Sequence, residues 1–550
     1  MSELKAYLLK RIDTAICGKG SHMRLGDIDG DGRMEIVMVQ PDCGLDFRYF
    51  PHSAVCATAF NLEGELLWQI GSPSSDTGES CADVPAQIYD IDNDGNNELL
   101  CVMDGEFCIY DGKSGALKRK YPLPDKYAHD CIIIADLEGR GYPQNIILKN
   151  RYHQLWALDV NFNVMWSFKG NIGHYPLPYD LNGDGRDELI AGNTVLSGDG
   201  DVLWTIPMEN HAHSIWAGDL DQNPETGPSV IVSGIDTSAY TYDGKLLWRS
   251  RIPGLHGVAP CNLRPEQKGT EVVGFGVINQ SGLQDIDGLF LLDYSGKLLC
   301  KESLTVSDCG TAAEAIYNFD GSGRDYIFAH RRGGLPAAIY DGLLNPIFSF
   351  PSDGQMMWAD LIGDGKAEIL IYDDDKIEIY AAGDTDLTQP VVPYTRPQPK
   401  RLYNYTRYQC CEMDSSQYAV NYITGDFSTN DLSDWASKCA AGKTDDADTI
   451  ISRADFIVLL VNVLNLHAYE RESFSDVYPR DYFARAAGIA KKLGIAEGTL
   501  GRFNPRAPIT AEAAVEMINR AGRECFCMND GELTKRSAAK IVIELLRTMN

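Results

Sequence analysis

Four things are missing or scarce in this 550-residue chain. No run of about eighteen apolar residues occurs, so no membrane-spanning helix is expected. The opening MSELKAYLLKR lacks the basic-then-apolar layout of a secretory leader, and taken literally that leaves the chain in the cytoplasm. Basic residues are outnumbered, 49 Lys and Arg against 78 Asp and Glu for a net charge of -29. That balance argues against a nucleic-acid partner, whose affinity rests on Lys and Arg meeting phosphates. The 15 cysteines are odd in number and follow no framework spacing. Cys101, Cys108 and Cys131 fall inside apparent strands as small hydrophobes, so the thiols read as reduced. Cys525 and Cys527 lie too close for a zinc pair, and adjacent Cys410 and Cys411 have no matching second pair.

What is present is a repeat. The run HYPLPYDLNGDGRDELIAGNTVLSGDGDVLW from His174 to Trp204 reads as strand, acidic turn, and three further strands. Equivalent turns start at Asp27, Asp90, Asp136, Asp180, Asp219, Asn262, Asn318 and Asp360, spaced 39 to 63 residues apart. Apolar runs such as EIVMV, ELLCVM and EILIY follow them, and GELLWQI, NVMWSFK, GDVLWTI, GKLLWRS and GKLLCKE close many of the copies. Such a unit cannot bury both faces alone, so the copies stack. The expected fold is an all-β propeller of eight blades, with seven as the alternative, followed by a small all-α domain. The last blade lacks an outer strand, which the N-terminal KAYLLKRI is expected to supply, leaving no open sheet edge.

Three turns keep a full set of oxygen ligands on a glycine-rich loop, the donor type a hard cation wants. They are Asp27, Asp29, Asp31 and Glu35; Asp90, Asp92, Asp94 and Glu98; and Asp180, Asn182, Asp184 and Glu188. Structural Ca2+ is expected there. The other five turns are eroded, as by Ile362 and Arg140, and read as plain glycine-rich hairpins.

Residues 1-387 are therefore the propeller and 388-408, rich in Pro, Arg and Tyr, a linker or strap. Over 409-550 the apolar period changes from two to 3.6. Helix starts are expected near Ile451, Ile509 and Leu533, with Ser452 and Thr510 as N-caps.

Histidines mark one face of the propeller. His22, His129, His174, His213 and His256 each precede their turn by five to seven residues, and His211 lies two before His213. Loops between second and third strands add Arg151, Tyr152 and His153, then Asn193, Asp236, Asn279, Gln280, His330, Arg331 and Arg332. Imidazoles, guanidiniums and phenols lining one cleft can neutralise a carboxylate and move a proton. A metal held by His211 and His213, or by several of the rings, is the other reading.

Together the repeat, HDCIIIADL, KNRYHQLW and GHYPLPYDLNGDGRDE make residues 1-387 resemble the calcium-loop, FG-GAP-like propellers of rhamnogalacturonan lyases and ulvan lyases. The resemblance implies β-elimination on an acidic, rhamnose-containing polysaccharide. It implies His129 as base or acid, Arg151 or Arg331 as carboxylate neutraliser, and Tyr152, His174 or Tyr175 as partners at the substrate. His213, His256, Asn193, Gln280, His330, Arg331 and Arg332 would bind sugar. Asn193 stands where the ulvan-lyase type tends to carry a proton-transferring tyrosine, so a rhamnosidase-type hydrolase or a non-catalytic glycan- or protein-binding propeller are the alternatives. Residues 451-522 resemble S-layer homology repeats through Ser452-Arg453-Ala454-Asp455, Phe474-Ser475-Asp476-Val477 and Phe503-Asn504-Pro505. That implies a cell-wall polymer as partner and points to the cell surface, against the cytoplasmic reading of the N-terminus.

Overall fold

The structure is a computed structural model of the chain. It describes residues 4-549 apart from 43-52, 76-83, 209-210, 224-225, 253-257, 265-266, 277-287, 304-311, 331-336, 389-399, 405-435, 442-446, 467-473, 478-482, 524-530 and positions 323, 353, 384, 438, 465 and 500. The chain divides into two compact units, the first lying within residues 1-414 and the second essentially 415-550.

The first unit is mostly β and propeller-like. Among the described residues its strands form six four-stranded antiparallel sheets and one eight-stranded sheet. The eight-stranded sheet is two four-stranded runs, His22–Gly26 to Leu66–Gly71 and Ala86–Tyr89 to Leu117–Pro122, joined by a lone parallel pairing of Ala54 with Met103. Each four-stranded run is called a module below, numbered in chain order. Modules 3, 4 and 5 begin with Ile132–Ala135, Leu177–Tyr179 and Ser214–Gly218.

Period-two alternation explains why the modules stack. In Glu98–Met103, Leu99 and Cys101 pack into a core shared with module 1, while Leu100 and Val102 pack into one shared with module 3. A strand covered on both faces reads as a continuous apolar run, which is what the inner strands are. The fourth strands, such as Val164–Lys169, are half exposed instead.

The recurring tryptophan of the closing strand ties one module to the next. Trp68, Trp166, Trp204 and Trp248 donate their indole N–H to the carbonyls of Gly112, Gly198, Tyr242 and Tyr294, at 2.7, 2.9, 3.2 and 2.9 Å. Each of these acceptors lies in the following module's last hairpin. Gly200 and Gly244, at φ +87°, sit under the rings of Trp166 and Trp204, and a Cβ on either would lie 2.7 Å from the indole.

The N-terminal strand Tyr7–Asp13 pairs antiparallel with Lys376–Ala381, so the last module is completed by the start of the chain. Met34 N–H donates to Leu361 O at 3.1 Å, linking the last module's turn to the first. The short helix Lys400–Tyr403, α1, lies against the inner strands of modules 1 and 2. Asn404 follows it, accepting from Ile134 N–H at 2.8 Å and donating to Ile134 O at 2.9 Å, as a neighbouring strand would.

The second unit contains α2 (Arg453–Val463), α3 (Ala484–Lys492), α4 (Ala511–Arg520) and α5 (Lys535–Met549) around a core that includes Phe456, Leu460, Phe503 and Ile518. Ser452 caps α2 in a capping box with Asp455, and Thr510 caps α4 through Ala513 N–H. Asp476 accepts from Phe503 N–H at 2.6 Å and Asn504 N–H at 2.9 Å, which gives the FSDV and FNP runs a shared structural job.

Cys17, Cys56, Cys101, Cys108, Cys131, Cys261 and Cys439 are buried, and Cys300 is half-buried. Cys410, Cys411, Cys525 and Cys527 lie outside the described residues. No helix among the described residues is long and apolar enough to cross a membrane.

Candidate functional site

The acidic turns share one device. The carboxylate nine positions into the turn folds back, so that Glu35, Glu98, Glu188 and Glu368 accept from Ile28, Ile91, Leu181 and Leu361 N–H at 2.9, 3.0, 2.8 and 2.8 Å. This is structural in both intact and eroded turns. What happens at the second carboxylate oxygen differs. Glu35 Oε1 is buried with no hydrogen-bond partner, and Asp27, Asp29 and Glu35 each turn an oxygen toward the others within 4.8 Å. Burial, with Asp29 beside it, pushes Glu35 up to about 9. Carboxylates crowded this way fit a hard cation. Asp31, also expected as a ligand, is exposed and ion-paired to Arg33 at 2.9 Å.

The second turn holds a cation of its own. Asp90, Asp92, Asp94 and Glu98 converge equally, but Lys118 Nζ reaches Asp92 at 3.0, Asp94 at 3.1 and Glu98 at 2.8 Å. Arg264 does the same for Glu271 in module 6, at 2.7 Å. In module 4, Asp184 N–H donates to Asn182 at 2.8 Å; Glu188 is buried, while Asn182 and Asp184 are exposed and Asp180 is half-buried.

The chemistry-bearing cluster lies where modules 3, 4 and 5 begin. Asp130 precedes the first strand of module 3 and Lys149 closes its second, and their side chains meet at 2.5 Å with both buried. Lys149 also donates to Arg151 O at 2.7 Å, and Arg151 Nη1 lies 3.5 Å from the other oxygen of Asp130. Burial alone would raise Asp130, but the ammonium and guanidinium outweigh it and hold it at about 2. Two cations against one anion leave the network positive.

Tyr152 and the histidines cover this network. Arg151 Nε donates to Tyr152 Oη at 3.4 Å, and Lys149 lies 5.7 Å from the Tyr175 ring. The Tyr152 ring centre is 5.2 Å from that of His174 and 4.5 Å from that of His211. His174, His211 and His213 stand 5.0, 4.9 and 4.6 Å apart as ring pairs. Backbone bonds fix the two histidine-bearing segments, since His174 N–H donates to Ala212 O at 3.0 Å and His213 N–H to Ser233 O at 2.8 Å. His174 is buried, whereas His211 and His213 are half-buried. Burial, then His213 and Arg151, hold the His174 imidazole well below its usual value, so it is neutral near pH 7.

Of the residues expected from sequence, Arg151, Tyr152, His174, Tyr175, His211 and His213 thus come together. His129 is buried beside Asp130, on which it exerts a favourable charge effect. His22 is buried in the first strand of module 1. Asn193 is half-buried and accepts from Thr194 Oγ1 at 3.2 Å. His330 ends a strand of module 7, and His256, Gln280, Arg331 and Arg332 lie outside the described residues. Asp130 and Lys149 were missed. Their signal is a lysine closing the otherwise apolar run NIILK, since a charge at a buried strand position demands a counter-charge.

No protein-family model matches the chain. Among curated proteins it is similar to the rhamnogalacturonan endolyase YesW of Bacillus subtilis (strain 168), 23% identical over 290 residues covering 41% of this chain and 46% of that one. It is also similar to the rhamnogalacturonan exolyase YesX of the same organism, 24% identical over 331 residues covering 47% and 53%. The chain spans about half the length of these curated relatives. The crystal structure of the exotype rhamnogalacturonan lyase YesX superposes with a TM-score of 0.53 at 17% identity, over 75% of this chain and 80% of that one. The likeness establishes a shared fold.

Proposed function

We propose that this chain is a polysaccharide lyase, cleaving an acidic, rhamnose-bearing glycan by β-elimination on an eight-bladed propeller. The observation that carries the reading is the buried, net-positive Lys149, Asp130 and Arg151 network, roofed by Tyr152 and the neutral imidazole of His174. Distant similarity to two rhamnogalacturonan lyases supports the substrate class.

The chemistry follows from the charges. A uronate carboxylate seated over the positive network becomes more electron-withdrawing, which acidifies the adjacent C5–H. The neutral imidazole of His174, or alternatively the His129 imidazole, takes that proton. The C5–H electrons form the C4–C5 double bond, the C4–O bond breaks, and Tyr152 protonates the departing oxygen. The sugar ends unsaturated and no water is consumed. The Asn193 amide is far too weak an acid to protonate a leaving oxygen, so the acid's role falls to Tyr152 in this reading.

Incubation with rhamnogalacturonan, ulvan and arabinogalactan should raise the ultraviolet absorbance of an unsaturated uronate on at least one polymer. His174→Ala and Tyr152→Phe should each lower kcat by roughly 10²–10⁴ while binding persists. His129→Ala separates the two bases by which variant loses more. Silence on all three polymers sinks the lyase reading in favour of a binding propeller, and new reducing ends without absorbance favour a hydrolase.

Structural calcium belongs to the same proposal, with the Asp27, Asp29 and Glu35 turn as its best-supported seat. So does a cell-wall-polymer role for residues 409-550, which rests on the resemblance of residues 451-522 to S-layer homology repeats.

A further inference from the structure

His174, His211 and His213 come from two segments of adjacent modules, and each directs one ring nitrogen into a common space, the three nitrogens lying within 4.8 Å of one another. Three nitrogens on a tetrahedral zinc ion, with bonds of about 2.1 Å, stand roughly 3.4 Å apart. Reaching that spacing needs at most a small inward movement of the rings. The half-buried His211 and His213 rings can make it by side-chain rotation, while His174 is fixed between Tyr152 and Tyr175.

We propose that these three imidazoles form a site for a transition-metal dication, zinc by donor type, with its fourth position open toward the cleft. Imidazole suits zinc, whereas calcium and magnesium take oxygen, so the site is chemically distinct from the acidic turns. Three protein ligands with one vacancy is the pattern of a metal that meets substrate rather than one that only braces a fold.

The surroundings select the fourth ligand. Lys149 and Arg151 lie beside the site, and Asp130 is the one anion they share. They disfavour a bare dication and favour one that carries an anion. A uronate carboxylate oxygen is the anion the proposed lyase reaction brings, and in this respect the inference rests on that reading. The ion would then share with Arg151 the neutralisation of the carboxylate, and with His174 held on the metal the C5 proton goes to His129, the alternative base. Linkage makes the effect reciprocal, so the anion must tighten the metal as the metal tightens the anion.

The test uses the full chain, stripped of metal and kept in excess calcium so that the acidic turns do not compete. Calorimetric titration with Zn2+ should give one zinc per chain, and Co2+ should give the intense visible bands of a tetrahedral centre. His211→Ala and His213→Ala should each weaken zinc at least tenfold and abolish those bands, with the zinc-free melting temperature close to that of the parent because both side chains are half exposed. Galacturonate should shift the cobalt spectrum and tighten zinc. Absence of zinc binding, or zinc binding unchanged in both variants, overturns the site. A protein that binds zinc here yet produces no unsaturated uronate keeps the metal site and loses the lyase, so the two failures are told apart.

Discussion

At the residue scale the decisive group is Asp130. Its carboxylate is the counter-charge for both Lys149 and Arg151 in a buried position, so Asp130→Asn leaves two cations facing each other without solvent. Removing one partner of such a network costs about 3–5 kcal/mol, far more than an exposed pair, and a thermal melt at pH 7 should show the loss. His174 gives a pH dependence of definite sign. Its folded value lies below its unfolded value of about 6.5, so on acidification the unfolded chain takes the proton first. Stability is complete above about pH 6.5 and declines as pH falls below it. Melting temperatures between pH 7.5 and 5 should fall, and His174→Gln should flatten that slope. The sequence made Arg151, Tyr152 and the histidines legible because polar residues recurred before each turn. It concealed Asp130 and Lys149, because a lone charge beside an apolar run looks like a strand end until its partner is found.

At the level of the element, the tryptophan of the fourth strand is where one module grips another. Trp166→Ala removes an indole lying over Gly200 and a hydrogen bond to Gly198. A fully buried site would lose about 3–5 kcal/mol, and this half-buried one should lose about 2–3, measured by denaturant melts. The acidic turn is the other repeated element, and its ion content depends on what else reaches it. Lys118 occupies the second turn's carboxylates as an ammonium, so Lys118→Ala should add one calcium per chain in a titration. An unchanged stoichiometry would mean that this turn does not hold calcium at all. Loop spacing announced the turns, but whether a lysine 20 residues beyond Glu98 would bend back over them was not written in that spacing.

On the scale of the whole molecule, the ends of the strand-bearing unit meet in one sheet. Removing residues 1-13 would leave Lys376–Ala381 as an open edge, with the carboxylate of Glu378 deprived of Arg11. The shortened chain should melt lower and self-associate, as light scattering would report. Chelation is the complementary test, because an ion that binds only the folded state adds stability by mass action. Excess chelator should lower the melting temperature of the parent, and an unchanged curve would contradict calcium in the first turn. By itself the sequence determined the β repeat, the turn positions, the tryptophan-bearing closing strands and the helix caps at Ser452 and Thr510, since all of these depend on period and on neighbours a few residues away. Only the tertiary structure decided that histidines from modules 4 and 5 share one space over a buried ion network of module 3, and that a lysine fills one acidic turn while another keeps an unpaired carboxylate oxygen. Those outcomes depend on which side chains from distant segments arrive at the same few cubic ångströms, and distance along the chain carries no record of that.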